Sequence, residues 1–385
     1  MFRYLVVLMM TVIFLGCGGQ VIEPPDNQAN NNRTLEKRTV DLPSSRWSNL
    51  PEALNIPALP KTLYRGFNLS HSHRTKGYGS DASLVSKQKL QELGVNWISL
   101  TRFGWMSGVK SAEVRANRYR SFDTEVALLT AEIEQARKLK MKVMLKPHVW
   151  VSGGGWIGDI RPSYENGGWD AFFQSYKAFI LQYAKLAQKL EVELFCIGVE
   201  LKSSTGRFRD KWIEIIDAVR AEYKGKIVYA ANWDEAQNVV FWDKLDAVGV
   251  DFYGPLTSEY EPSLNTLVDA VKKYLDTYVG IARKHSIPLI FTEVGYRSTV
   301  ASFRQPHIWP EQLPADQRKF DELSQAVGYA AFLTAVSQYK EIQGIFWWKW
   351  FTDMETDEEG EIGFSPFNKL ASQVMKASFV GPTSN

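Results

Sequence analysis

From residue 63 onward, the apolar positions change period in a repeating order. Short runs of five to seven mainly apolar residues fall at 63–69, 97–101, 142–147, 194–199, 226–231, 247–252, 288–292 and 344–348. Runs of that length between turn-forming residues predict strands. Between them lie longer stretches with apolar residues three and four apart, at 81–93, 123–139, 169–190, 210–223, 264–284 and 319–339. The first opens on Asp81 as an N-cap and stops at Gly94; the second sets Val126, Leu129, Ile133, Ala136 and Leu139 on one helical face. Strands that alternate with helices in this way predict an α/β protein with a parallel sheet and right-handed crossovers. Eight such strands close a (β/α)8 TIM barrel spanning residues 61–385. No glycine-rich phosphate fingerprint follows the first strand, which argues against a dinucleotide-binding fold.

The N-terminus has a different texture. An early Arg3 precedes an apolar run at 4–15, shorter than the roughly 20 residues a membrane-spanning helix needs. Residues 1–16 therefore predict a secretory signal peptide. The run ends Phe14-Leu15-Gly16-Cys17, which resembles the lipobox of bacterial lipoproteins, where the cysteine becomes the acylated first residue. That resemblance implies a lipid anchor on Cys17 and a place in the bacterial cell envelope, in the periplasm or on the outer-membrane surface. Residues 17–60, with Pro24-Pro25 and Asn30-Asn31-Asn32, have the composition of a flexible tether. Arg46-Trp47 and the Leu-Pro steps after it are expected to pack on the barrel floor.

Composition narrows the function. A formal net charge of +2 gives no reason to expect a nucleic-acid partner. Aromatic residues make up 13%, including 13 tryptophans, whose flat faces suit sugar rings as well as cores. The only cysteine besides Cys17 is Cys196, inside a predicted strand and expected to be a buried apolar residue. The carboxylates carry more information. In a barrel of this kind the active site lies at the C-terminal ends of the strands. There the sequence places Asn68, Arg102, His148, Glu200, Asn232, Asp251, Tyr253, Glu293 and the run Trp347-Trp348-Lys349-Trp350. Glu200 closes the fourth strand and Glu293 the seventh, facing each other across the mouth. Two carboxylates about 5–5.5 Å apart suit a retaining glycosidase, one attacking the sugar and the other shuttling the proton. Trp105, Trp150, Trp156 and Trp233 are candidate sugar platforms, and the loop Ser152-Gly153-Gly154-Gly155-Trp156 is placed to cover the cleft.

Cys196-Ile197-Gly198-Val199-Glu200 and Phe291-Thr292-Glu293-Val294-Gly295-Tyr296 resemble the corresponding strand ends of clan A glycoside hydrolases. Within the clan, Arg65-Gly66-Phe67-Asn68, Lys146-Pro147-His148, Ala231-Asn232-Trp233, Asp251-Phe252-Tyr253 and Phe346–Trp350 are most similar to glycoside hydrolase family 113, known for β-1,4-mannanases. The resemblance runs from about residue 64 to the end. It implies that Glu200 is the acid/base, that Glu293 is the nucleophile, and that Tyr253 hydrogen-bonds Glu293. It also implies that a strand-eight tryptophan, Trp348 or Trp350, floors the sugar site nearest the cleaved bond. Many clan members have Asn before the acid/base where this chain has Val199. Asn68, Arg102, His148, Asn232 and Asp251 are the expected sugar contacts, with no cofactor and no metal. The expected partner is a β-linked polysaccharide or oligosaccharide bound by a monomer, with membrane contact through the lipid alone.

Two other classes compete. His71-Ser72-His73 after the first strand is where metal-dependent amidohydrolases place two ligands, but none of the five histidines closes strand five or six, as that site requires. A non-catalytic surface glycan-binding lipoprotein would use the same tether and tryptophans. A retaining enzyme acting on another β-linked glycan would use the same carboxylates.

Overall fold

The computed structural model describes residues 36–43, 47, 50–72, 74–116, 121–355 and 359–380. The expected signal peptide and Cys17 lie outside them. Two short strands, β1 (Lys37–Asp41) and β2 (Ala53–Pro57), pair antiparallel. Then come β3 (Tyr64–Ser70), β4 (Trp97–Met106), β5 (Lys142–Val151), β6 (Leu194–Val199), β7 (Lys226–Asn232), β8 (Ala247–Phe252), β9 (Leu289–Val294) and β10 (Ile342–Phe351). These eight close in the order β10-β3-β4-β5-β6-β7-β8-β9, every neighbouring pair parallel. The expected TIM barrel is the fold.

Helices Asp81–Glu92, Phe122–Lys138, Gly168–Lys189, Arg209–Glu222, Leu264–His285 and Glu322–Val336 match the six expected stretches. Two short 3-10 turns, Ala236–Asn238 and Trp242–Lys244, stand between β7 and β8. A further helix, Leu370–Phe379, follows β10. The first helix is capped by Ser80, whose side chain accepts from the Ser83 amide, so Asp81 is its first helical residue rather than its cap. Gly94 follows that helix at φ +80°, the left-handed conformation that favours glycine.

The barrel interior is filled by Trp97, Met144, Leu194, Cys196, Val228, Ala230, Ala247, Ile290 and Phe346. Cys196 is fully buried, as its strand position predicts. A Cβ on Gly66 would meet the Phe346 ring at 2.3 Å, so only glycine on β3 lets that ring fill the barrel.

The second half of the expected tether is part of the domain. Val40, Leu54 and Ile56 of the hairpin are buried, and the two strands lie against helices Glu322–Val336 and Leu370–Phe379. The Arg38 guanidinium donates to the Ala377 and Val380 carbonyls, and the Ser378 hydroxyl to the Pro57 carbonyl at 2.8 Å. The domain therefore takes in the hairpin of residues 37–57 as well as residues 61–380. Nor does Trp47 sit on the barrel floor. Its indole N–H donates to the Pro262 carbonyl at 3.1 Å and its ring packs on Phe303, in the loops that leave the mouth after β8 and β9. Leu59, which donates its amide to Ser378 just before β3, does lie at the floor.

Candidate active site

Along β5 the alternation of a strand turns Met144, Lys146 and His148 to one face, with Met144 in the barrel interior. On β8 the same rule gives Asp251 and then, just past its end, Tyr253. Simple alternation on β9 would put Ile290 and Thr292 inside and Glu293 outside. The structure departs from it there: Val250 pairs with Phe291, but Asp251 pairs with Glu293. This bulge lets both Thr292 and Glu293 converge on the Asp251 side. Similar register shifts occur in β6 between Cys196 and Val199, and in β10 between Trp347 and Trp350. The three strand ends that carry Glu200, Glu293 and Trp348 are thus the three bent by irregular pairing.

At the mouth, Lys146 is fully buried, and its ammonium donates to Glu293 Oε1 at 2.6 Å and to the Asp251 oxygens at 3.2 and 3.3 Å. Tyr253 donates its hydroxyl to Glu293 Oε2 at 2.7 Å. Thr292 donates to Asp251 Oδ1 at 2.6 Å. His148 Nε2 lies 3.7 Å from Glu293 Oε1, and the ring faces Trp348 at 6.0 Å with 29° between planes. Glu200 stands at φ +51°, its amide bonded to the Ala230 carbonyl at 2.8 Å, and Trp156 donates its indole N–H to Glu200 Oε2 at 2.8 Å.

Three carboxyl groups gather here and the buried Lys146 ammonium pairs with two of them, so all three cannot be charged without a large cost. Burial, then the charges of Asp251 and Glu293, raise the Glu200 carboxyl well above the usual carboxylate range, against the Trp156 hydrogen bond. Burial, then the charge of Glu293, push Asp251 up to about 7, against Lys146 and Thr292. Burial pulls the Lys146 ammonium down, but the charges of Asp251 and Glu293 outweigh it and its pKa ends above the usual lysine range. Burial, and then Lys146, hold His148 far below its usual range, so the imidazole is neutral beside Glu293. Burial and the neighbouring Glu293 charge also keep the Tyr253 hydroxyl protonated. The site therefore holds a carboxylate with two donors on it and, on another strand, a carboxyl that keeps its proton.

The expected site residues divide accordingly. Glu200, Glu293, His148, Asp251, Tyr253 and Trp348 meet at the mouth. Asn68 is buried beside them but turned into the wall, its amide donating to the Thr292 carbonyl at 3.0 Å and, more weakly, to that of Trp347 at 3.4 Å. Asn232 accepts the Trp233 amide at 2.7 Å on its own loop. Arg102 is turned away from the mouth. Both its Nε and Nη2 donate to the Glu125 carboxylate on helix Phe122–Lys138, outside the barrel. Alternation was the available signal, because Arg102 has opposite parity to Trp97 in the barrel interior. Trp350 is not in the cleft either. The β10 register shift sends it out to the Ser86 hydroxyl at 2.8 Å and against Phe67 and Phe367. Trp347 also faces out, stacked on Tyr329 at 3.9 Å, which leaves Trp348 as the strand-eight ring at the mouth. The His-x-His alternative loses its first member: His71 Nδ1 accepts the Tyr78 amide at 2.9 Å, and His73 lies outside the described residues.

Two groups lie outside the expected site residues. Lys146, which enters the family resemblance only as part of Lys146-Pro147-His148, is the cation that pairs with Glu293 and Asp251. Glu235, in the loop after β7, is fully buried. It accepts hydrogen bonds from Thr205 at 2.6 Å, Tyr229 at 2.7 Å and the Asn232 amide at 3.0 Å. Tyr229 in turn accepts the Leu201 amide at 2.6 Å, one residue past Glu200. Burial pushes Glu235 up to about 7, against these three hydrogen bonds.

The chain is similar over most of its length to solved family 113 enzymes. A β-1,4-mannanase of that family in a complex structure is 25% identical, with 82% of this chain and 98% of that chain covered and a TM-score of 0.71. The family 113 β-mannanase from Alicyclobacillus acidocaldarius, in complex with ManMIm, is 26% identical, with 82% and 97% covered and a TM-score of 0.71. A β-D-glucuronidase from Dictyoglomus thermophilum, 12% identical over 84% of this chain and 54% of its own, with a TM-score of 0.54, shares the fold alone. Among curated proteins none matches. The sequence model of Glycoside Hydrolase Family 113 matches residues 68–369, which takes in every strand end just described except the start of β3, and the chain belongs to that family.

Proposed function

We propose that the protein is a retaining, endo-acting β-1,4-mannanase with Glu293 as nucleophile and Glu200 as general acid/base. The observation that carries the assignment is the asymmetry of the pair. Lys146 and Tyr253 both donate to Glu293, which favours its anionic form, while burial and like charges keep a proton on Glu200. In the first step a Glu293 oxygen attacks the anomeric carbon, and the Glu200 proton passes to the departing glycosidic oxygen. In the second, Glu200 removes a proton from water, the water oxygen bonds to the anomeric carbon, and Glu293 leaves as carboxylate. The choice of mannan rests on the family 113 mannanases to which the chain is similar. His148 and Trp348 flank the bound sugar in this scheme, while the buried Asp251 holds Lys146 behind Glu293.

The test is hydrolysis of mannan, glucan and xylan by a soluble form starting at Gly18, beside Glu293→Ala and Glu200→Gln. Release of manno-oligosaccharides of mixed length by wild type, absent in Glu293→Ala, supports the assignment. Glu200→Gln should keep far more activity on aryl glycosides with good leaving groups than on mannan. Equal loss on both substrates overturns the acid/base role, and cleavage of another glycan overturns the substrate.

The proposal extends to location. The signal-like residues 1–16 and Cys17 support an enzyme held by lipid in the cell envelope. Incorporation of labelled palmitate that Cys17→Ala abolishes would support the anchor, and secretion of an unlabelled protein would remove it.

A further inference from the structure

β4 and β5 do not stop at the mouth. Each is ten residues long, against six for β6, β8 and β9, and they stay paired as far as Met106 beside Val151. The extension is braced on its other edge, where Trp105 exchanges two backbone hydrogen bonds with Arg115, at 2.8 and 2.9 Å. Two strands thus rise from the mouth as a wall. On its back, Met106 and Val151 are buried. On the face that continues Lys146 and His148 stand Phe103, 37% exposed, and Trp150, 51% exposed. The rings touch in series: Trp348 to His148 at 6.0 Å, His148 to Phe103 at 5.2 Å, Phe103 to Trp150 at 6.1 Å and Trp150 to Trp105 at 6.0 Å.

A rigid paired strand that spends its outward-facing positions on large exposed rings forfeits their burial, unless something covers them. The strip starts at the ring packed against His148 in the catalytic cleft and runs outward without a break. Trp150 lies four residues beyond Lys146, about 13 Å farther along the strand at some 3.3 Å per residue. We propose that this wall is a remote glycan subsite, in which Trp150 and Phe103 stack on a pyranose ring of the same β-linked chain whose cleavage occurs between Glu200 and Glu293. The inference rests on the glycosidase assignment and specifies where a long substrate is gripped. Because the contact is remote, it acts on chains long enough to reach it and leaves the reacting atoms alone.

The test compares wild type, Trp150→Ala, Trp150→Phe and Phe103→Ala. Trp150 and Phe103 are exposed, so the barrel core is untouched by these changes. On hexasaccharides of the cleaved glycan, Trp150→Ala should lower kcat/KM about tenfold, mainly through KM, and Trp150→Phe should recover most of it. On an aryl β-glycoside with a single sugar, wild type and the two Trp150 variants should agree within about twofold. Equal losses on both substrates, or no loss on either, overturn the subsite. Retardation in native gels containing soluble mannan, glucan or xylan separates the two claims. If wild type cleaves nothing but is retarded, and Trp150→Ala is not, the wall stands and the glycosidase assignment fails. If no glycan retards wild type and none is cleaved, both fall.

Discussion

The Trp156 indole N–H donates to Glu200 Oε2 at 2.8 Å, so the glycine-rich loop after β5 reaches the carboxyl at the end of β6. The ring also lies under the Lys202 ammonium, 5.9 Å from its centre, and Lys202 bonds Asp234 in the loop after β7. Trp156, one of four candidate platforms, is in this way tied to the carboxyl that keeps its proton. A hydrogen bond to a carboxylate favours the charged form, so it lowers a pKa that burial has raised. Trp156→Phe should therefore raise the Glu200 pKa further. The alkaline limb of kcat/KM should move up in pH while the acid limb stays. A profile whose alkaline limb is unmoved would show that Glu200 is not the group titrating there.

Lys146 binds Asp251 and Glu293 at once from a site with no solvent contact. Lys146→Met removes the ammonium that these two carboxyls share. Stability should fall by about 3–5 kcal/mol in urea unfolding at pH 7, since a buried pair is broken from one side. Activity should fall more steeply than folding, because Glu293 loses the donor that holds its Oε1. At a temperature where the variant stays folded, kcat should fall by about tenfold or more. Loss of stability with kcat unchanged in the folded variant would make Lys146 a structural residue alone.

Arg102 offers the opposite contrast. It pairs in two-point fashion with Glu125 outside the barrel, and its guanidinium lies 5.6 Å from the Tyr78 ring centre. Arg102→Met should cost about 3 kcal/mol, because the buried Glu125 carboxylate loses the two-point pairing with the guanidinium. At a temperature where the variant stays folded, kcat/KM should remain within about twofold of wild type. A large loss of kcat at full folding would return Arg102 to the substrate.

These contrasts mark what sequence could reveal. Strand runs and helical spacing are local properties, so eight strands and the six helices between them were legible, as were the two glutamates that end apolar strands. Parity held where pairing was regular, on β5 and β8, and Arg102 followed it outward. It failed at Glu293 and Trp350, because one extra residue in β9 or β10 swaps the faces and no single residue announces it. The hairpin was missed because its apolar residues are few; yet Leu54 and Ile56 buried around an exposed Asn55 show the period of two a strand requires. Glu235 gave no signal, since its partners come from three separate segments that only the closed barrel brings together.

Glu235 provides a pH test of that network. Its folded pKa, about 7, lies above the ordinary carboxylate value, so between about 4.5 and 7 the folded state holds a proton that the unfolded state has released. With more protons bound in the folded state, stability falls as pH rises through that window, and levels off once both states are ionised. Glu235→Gln cannot titrate. It keeps an oxygen for Thr205 and Tyr229 but turns an NH2 toward the Asn232 amide, so it should be less stable than wild type at pH 4.5. As pH rises to 8 the gap in Tm should narrow or reverse, because wild type alone acquires a buried charge. A gap that does not change with pH would mean that Glu235 is already ionised throughout, and that the Thr205, Tyr229 and Asn232 donors overcome its burial. In that case the clamp on Leu201, and through it on the left-handed backbone of Glu200, is anionic at every pH at which the enzyme works.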